Sequence, residues 1–318
     1  MEKKKIRIIG LVSILGTIII VSIIILNLPK RLERVEFTVG GEVIDDFAYW
    51  LQDIDKDDVK DSKYDLIIID YSSDGDESGE YSKSEVRDMK SSGEAEKLLI
   101  SYISIGEAEN YRFYWNNSWD ADEDGIPDPS APEWLDKENK YWEGNYKVKF
   151  WYQGWQNITY EYLDRIISAD FDGIYMDIID AYEYYEGPAN HSNWLMIDFV
   201  CNISDYVKSE AGKDFVVFVQ NGDELLGNST YLNHIDGIGR EDLFYDDDDE
   251  TDEDWREEGI DNLNKALKKD KAVLVIDYPT TEEKIHDFYV KCIDNGFLPY
   301  AADRDLDSLK EYPYYPPT

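Results

Sequence analysis

The stretch FDGIYMDIIDAY, residues 171–182, ends an apolar run on Asp177 and carries a second acid, Asp180, three residues later. Taking a carboxylate out of water is costly unless a partner or a reaction makes use of it. A group of acids of this kind can hold a metal, hold a cationic ligand, or move protons. Cleavage of a glycosidic bond needs two carboxyl groups flanking that bond, one kept protonated by its surroundings and one ionised. Asp177 and Glu241, each at the end of a short apolar run, are the candidate catalytic pair. Asp180 lies one helical turn past Asp177, where it either tunes Asp177 by like charge or caps the turn that follows.

A second pattern stands at DADEDGIPD, residues 120–128. Asp120, Asp122 and Asp124 alternate, Gly125 takes the sharp turn, Ile126 offers a carbonyl at the seventh place and Asp128 fills the ninth. This is the spacing of a calcium loop, although the twelfth place holds Ala131 in place of the usual Glu. Calcium here is expected to be structural, with no cofactor needed for catalysis. The three histidines lack ligand-like spacing, so zinc is not expected, and Cys201 and Cys292 are the only cysteines.

Acids so far apart in the chain need a fold that gathers them. From residue 45, eight apolar runs alternate with helical stretches: Phe47–Leu51, Leu66–Ile69, Leu98–Ile103, Gly173–Met176, Phe215–Val219, Ile235–Ile238, Ala272–Ile276 and Phe297–Tyr300. Eight such repeats in about 270 residues predict a (β/α)8 TIM barrel spanning 45–318, whose active site lies at the C-terminal ends of the strands. A doubly wound open sheet is the alternative, but its Gly-rich loop is missing after the first strand, where Gln52-Asp53-Ile54-Asp55 stands. The strand ends carry Asp53, Asp70, Glu107, Asp177, Asn221, Glu241, Asp277 and Asp303. Of these, Asp53, Asp70 and Asp277, with Asp180, are expected to bind substrate around the catalytic pair. The barrel also separates the two cysteines onto helices three positions apart, too far for a disulfide.

Between the third and fourth strands lies an insertion, 108–155, with six of the nine tryptophans. It could roof the cleft with flat rings, or pack those rings into a small core of its own.

The stretches Tyr102–Glu107, Phe171–Asp177, Gln220-Asn221 and Arg240-Glu241 resemble glycoside hydrolase family 114, the endo-α-1,4-polygalactosaminidase family. The likeness runs from about residue 45 to 305. It implies a barrel and hydrolysis of a partly deacetylated, cationic galactosamine polymer. It places the catalytic pair on Asp177 and Glu241, the former as nucleophile and the latter as acid/base, and gives Glu107 and Asn221 to substrate contacts; Arg240, next to Glu241, is expected to bind substrate as well. The family commonly has Asn directly after the first acid, where this chain has Ile178.

Charge agrees with a cationic partner. With 70 acids against 32 bases the net charge is −38, which repels nucleic acid and attracts cations. The run DDDDE after Tyr245 is expected to add to the field at the cleft mouth, or to be a solvated, mobile loop. Ile8–Leu28 is a 21-residue stretch without charge, preceded by MEKKKIR. It is long enough to cross a bilayer and lacks a small-residue cleavage site. The chain is therefore expected to have a cytoplasmic stub and signal-anchor helix over 1–28, a linker over 29–44, and an extracellular domain tethered to the cell membrane, with a secreted domain as the alternative if the N-terminal segment is cleaved. Five Asn-x-Ser/Thr sequons are compatible with that location. A non-catalytic polysaccharide-binding surface protein on the same scaffold is the alternative function, and a calcium-dependent adhesion protein a weaker third.

Overall fold

The computed structural model describes residues 31–91, 97–185 and 191–318. The expected anchor, Ile8–Leu28, lies outside the described residues. Among those described, no helix is long and apolar enough to cross a membrane.

Eight parallel strands form one sheet: β1 Phe47–Tyr49, β2 Leu66–Ile69, β3 Leu98–Ser104, β4 Gly173–Asp177, β5 Val216–Gln220, β6 Gly237–Glu241, β7 Ala272–Asp277 and β8 Leu298–Ala301. They pair in chain order from β1 to β8. Nearly every strand residue is buried, as expected where helices cover a parallel sheet and side chains fill its inside. The outer strands β8 and β1 meet through side chains, with Phe47 and Tyr300 ring centroids 5.6 Å apart. The N–H groups of Leu51 and Gln52 both reach the Leu306 carbonyl, at 2.9 and 3.0 Å. The result is a nearly closed barrel of the TIM type.

Among the described residues seven α-helices alternate with the strands: α1 Lys56–Asp61, α2 Lys83–Lys90, α3 Gln153–Ser168, α4 Ser192–Glu210, α5 Ser229–His234, α6 Glu253–Leu267 and α7 Glu282–Asn295. Local chemistry starts them. Ser82 and Glu85 form a capping box at the start of α2. In α7 the cap is Thr281, whose hydroxyl accepts from the Lys284 N–H, while the preceding Thr280 donates its hydroxyl to Asp248 at 2.6 Å. Cys201 lies on α4 and Cys292 on α7, and both thiols are free.

Three segments differ from expectation. Within the expected linker, Phe37–Val39 and Glu42–Ile44 pair as an antiparallel hairpin whose Val39 and Ile44 are buried; apolar residues facing the barrel underside give it something to pack on. The insertion folds as a three-stranded antiparallel sheet of Glu107–Glu109, Leu135–Glu138 and Asn145–Val148, and Trp155 belongs instead to α3. The acidic run is a short hairpin, Tyr245–Asp246 against Asp249–Glu250. Its charges are tied down, with Asp246 and Asp247 paired to Arg304 and Asp248 bonded to Thr280.

Most insertion tryptophans pack on one another. Ring centroids are 5.2 Å apart for Trp115 and Trp119, 5.3 Å for Trp119 and Trp134, and 5.1 Å for Trp134 and Trp155. Trp151 packs edge-on against Tyr185. Trp142 alone of the six is exposed.

Candidate active site

Strands β4, β5 and β6 are neighbours, so the acids ending β4 and β6 are separated by one strand. At the usual spacing of about 4.8 Å, those two strands lie roughly 10 Å apart, and inward-pointing side chains converge from there. Both Asp177 and Glu241 line a cleft of about 1130 Å³ at the C-terminal mouth.

Each acid is held from two sides. The Tyr102 hydroxyl donates to Asp177 Oδ2 at 2.9 Å, and the N–H of Ile178 donates to Oδ1 at 2.6 Å. Ile178 itself has a left-handed backbone, φ 58°, a strained conformation for a β-branched residue. Asn adopts this conformation readily, which gives a physical reason for the family's Asn at this place. Opposite, Glu241 accepts from the Tyr278 hydroxyl through Oε1 and from the Gln220 amide through Oε2. Gln220 is itself fixed, since its Oε1 accepts from the Tyr49 hydroxyl at 3.0 Å. A relay from β1 through β5 and β6 to the residue after β7 thus locks one carboxylate in place. Space beneath it is kept by Gly239, where a Cβ would lie 1.7 Å from the Tyr175 hydroxyl.

Burial raises the pKa of Asp177 well above the ordinary value, and the charge of Glu241 adds to the effect. Burial raises Glu241 too, opposed by the Tyr278 hydrogen bond and by the charge of Arg304. Both acids are thus pushed toward their neutral forms, Asp177 in part by the charge of Glu241. Asp180 contributes repulsion to Asp177 as well, behind burial and Glu241.

The other expected site residues divide into two groups. Asp53, Asp70, Asp180 and Asn221 line the cleft with the pair. Asp70 is fixed by Arg112, at 2.7 Å, which also bonds Glu109 at 2.6 Å. Glu107, Arg240 and Asp277 stand behind the lining. Glu107 accepts from Asn139 at 3.0 Å, and burial pushes its pKa up to about 7. Arg240 donates to Asn221 Oδ1 at 3.1 Å and pairs with Asp223 at 3.4 Å, so it supports the turn and does not reach into the cleft. Asp277, fully buried, accepts the backbone N–H groups of Leu243, Phe244 and Tyr245, each at 2.9 Å. It shapes the loop after β6 where substrate contact had been expected.

Sequence reasoning missed Tyr49, Tyr102, Gln220, Tyr278 and Arg304. Arg304 grips Asp242 with two bonds of 3.0 Å and lies 4.0 Å from the Tyr278 ring centroid. For the tyrosines the available signal was alternation along a strand, which cannot tell a core ring from one whose hydroxyl reaches the mouth.

At the candidate calcium loop, Asp120, Asp122 and Asp124 each bring an oxygen within 4.8 Å of the others. Asp120 also accepts from the Asp124 and Gly125 N–H groups, at 3.2 and 2.9 Å. Asp128 stands outside that trio and accepts from Ala121 N–H at 2.9 Å. Ile126 is exposed.

The family model described as glycoside-hydrolase family GH114 matches residues 33–316. An uncharacterized protein of Methanocaldococcus jannaschii is 40% identical over 281 residues, covering 84% of this chain and 78% of that one. One of Thermotoga maritima is 37% identical over 276 residues, covering 83% and 82%. Among solved structures, the glycoside hydrolase domain of PelA from Pseudomonas aeruginosa aligns with TM-score 0.60 at 14% identity, covering 83% of this chain and 97% of that chain. Ega3 from Aspergillus fumigatus, in complex with galactosamine, aligns with TM-score 0.61 at 14% identity, covering 89% and 99%.

Proposed function

The chain belongs to glycoside-hydrolase family GH114, and from that premise we propose that it cleaves an amino-sugar polymer between Asp177 and Glu241. The observation that carries this reading is the placing of two oriented carboxylates, Asp177 buried and Glu241 half-buried, in one open cleft. A structural ion pair would supply a cation between them; here two acids line one cleft, and the charge of Glu241 adds to the upward push on Asp177.

In this reading Asp177 attacks the anomeric carbon and Glu241 protonates the leaving oxygen, then activates water for the second step. Asp177 must be ionised to attack, yet burial favours its neutral form. A positively charged sugar, and the positive charge that develops on the ring in the transition state, both pull the proton off Asp177. Repulsion from the newly charged Asp177 in turn keeps a proton on Glu241. A cationic substrate therefore sets both groups in their working states.

The polymer we propose is an α-1,4-linked, partly deacetylated galactosamine chain. The acidic lining of the cleft supports it, as does the galactosamine bound by the structural neighbour Ega3. We also propose that the domain works outside the cell, with 8–28 as its anchor. The test of catalysis uses Asp177→Asn and Glu241→Gln. Each should lower turnover of polygalactosamine roughly a thousandfold or more, while gel retardation by the polymer persists. Turnover within a few-fold of wild type in either variant removes the hydrolase mechanism, and a wild-type protein that binds but never cleaves favours the alternative of a binding protein.

We further propose that the 120–128 loop takes a structural calcium. Asp122 is raised chiefly by the neighbouring Asp124 charge, a repulsion that a bound cation would relieve. Calorimetric titration with millimolar calcium should show heat that is lost in Asp122→Ala; no heat with the wild-type protein ends the proposal.

A further inference from the structure

Eight large apolar side chains are exposed among the described residues, and four of them, Tyr111, Tyr141, Trp142 and Tyr184, line the same cleft. Tyr141 is 76% and Trp142 56% exposed. Both sit on the turn between the insertion strands Leu135–Glu138 and Asn145–Val148. That turn is braced. Trp142 N–H donates to the Asn139 carbonyl at 3.1 Å, and Asn145 N–H to the Trp142 carbonyl at 3.2 Å. The Asn139 amide donates to Glu107 at 3.0 Å, which ties the turn to the chain leaving β3. Flat rings held by a fixed backbone lose little entropy when a ligand stacks on them.

Charge changes along the cleft. Of its four basic side chains, Lys137, Lys140 and Lys147 come from this one segment, beside Glu138 and Glu143; elsewhere the lining holds nine acids and Arg304, with Arg112 behind it pairing Asp70 and Glu109. Lys140 Nζ lies 4.4 Å from the Tyr141 ring centroid and Lys147 Nζ 3.6 Å from that of Tyr184. Those ring faces already hold a cation, so a second one is repelled.

We propose that the Tyr141–Trp142 turn is a distal subsite that stacks a neutral, N-acetylated sugar of the same chain whose free-amine units lie over the acidic floor. The cleft would thereby read the pattern of acetylation along the polymer. A sugar ring presents a C–H face to the indole and a hydroxyl rim to the lysines, the mix of apolar wall and placed polar groups expected of such a site. The identity of the ligand rests on the glycosidase reading above; the existence of the subsite is tested without turnover.

The test is retardation of the Glu241→Gln protein in native gels containing either fully deacetylated or half N-acetylated polygalactosamine. The half-acetylated polymer should be bound more tightly. Adding Trp142→Ala should weaken that binding about tenfold, the order of a lost aromatic contact, and leave the deacetylated polymer unaffected. Trp142→Phe should restore most of the loss, which separates stacking from misfolding. Lys140→Glu should move the preference toward the deacetylated polymer. Equal loss on both polymers, no loss on either, or no retardation of the parent protein overturns the subsite. Acetylation-dependent binding without any turnover by the wild-type enzyme keeps the subsite and sinks the hydrolase reading.

Discussion

Tyr278 shows how one hydroxyl decides the chemistry of a neighbouring acid. Its bond to Glu241 stabilises the ionised form and so opposes the upward push of burial. Tyr278→Phe removes that opposition, and the pKa of Glu241 rises. With Glu241 as the proton donor, the alkaline limb of the kcat/KM profile should move to higher pH. Loss of a positioned donor should also lower kcat/KM about tenfold or more. A pH–rate profile of the variant on polygalactosamine checks both, and an unmoved alkaline limb would argue that Glu241 is not the acid. Tyr102 plays the matching part at Asp177, through a single bond of 2.9 Å.

At the scale of elements, the loop after β6 is held by an acid on the next strand. Asp277 ends β7 and accepts three consecutive N–H groups from residues 243–245. Those donors are buried and would otherwise lack partners. Asp277→Ala should therefore destabilise the domain by about 3 kcal/mol or more, seen as a lower midpoint in urea. The same variant should lose activity in the protein that remains folded, because the loop carries Asp242 and its Arg304 clasp beside Glu241. Full activity with normal stability would show that the loop holds its shape without Asp277. The insertion is a second case of one element serving another: its tryptophan core fixes a small sheet whose far turn reaches the cleft.

Across the whole molecule, many buried acids are pushed upward. Asp46, Glu107 and Asp277 rise to about 7. An acid whose pKa is higher folded than unfolded binds more protons in the native state between the two values. Stability from such groups is full below the unfolded value, near 4, and is lost as pH rises through about 7. Surface acids such as Glu85 and Asp170, lowered to about 2, work in the opposite sense only below pH 4. Thermal melts should therefore run several degrees higher at pH 5 than at pH 8, and added salt should narrow the gap by screening the net charge of −38. A melting temperature that is flat or rising from pH 5 to 8 contradicts this balance.

The eight apolar runs, their spacing and the acids that end them are local properties, and they determined the barrel, the candidate pair of acids at its mouth and the helices around it. Strand ends drifted by a few residues: the sixth was expected at Ile235–Ile238 and lies at Gly237–Glu241, since apolar character marks burial and not ladder pairing. Which polar residue at a strand end enters the cleft could not be read locally. Asp177 and Asp277 look alike in sequence, each the acid after an apolar run, yet one faces the cleft and the other the loop amides. That difference depends on what neighbouring strands bring to the same height. Only the nearly closed barrel sets Tyr49, Gln220 and Tyr278 around Glu241, because hydrogen bonds between residues 171 or 37 positions apart in the chain exist nowhere but in the folded molecule.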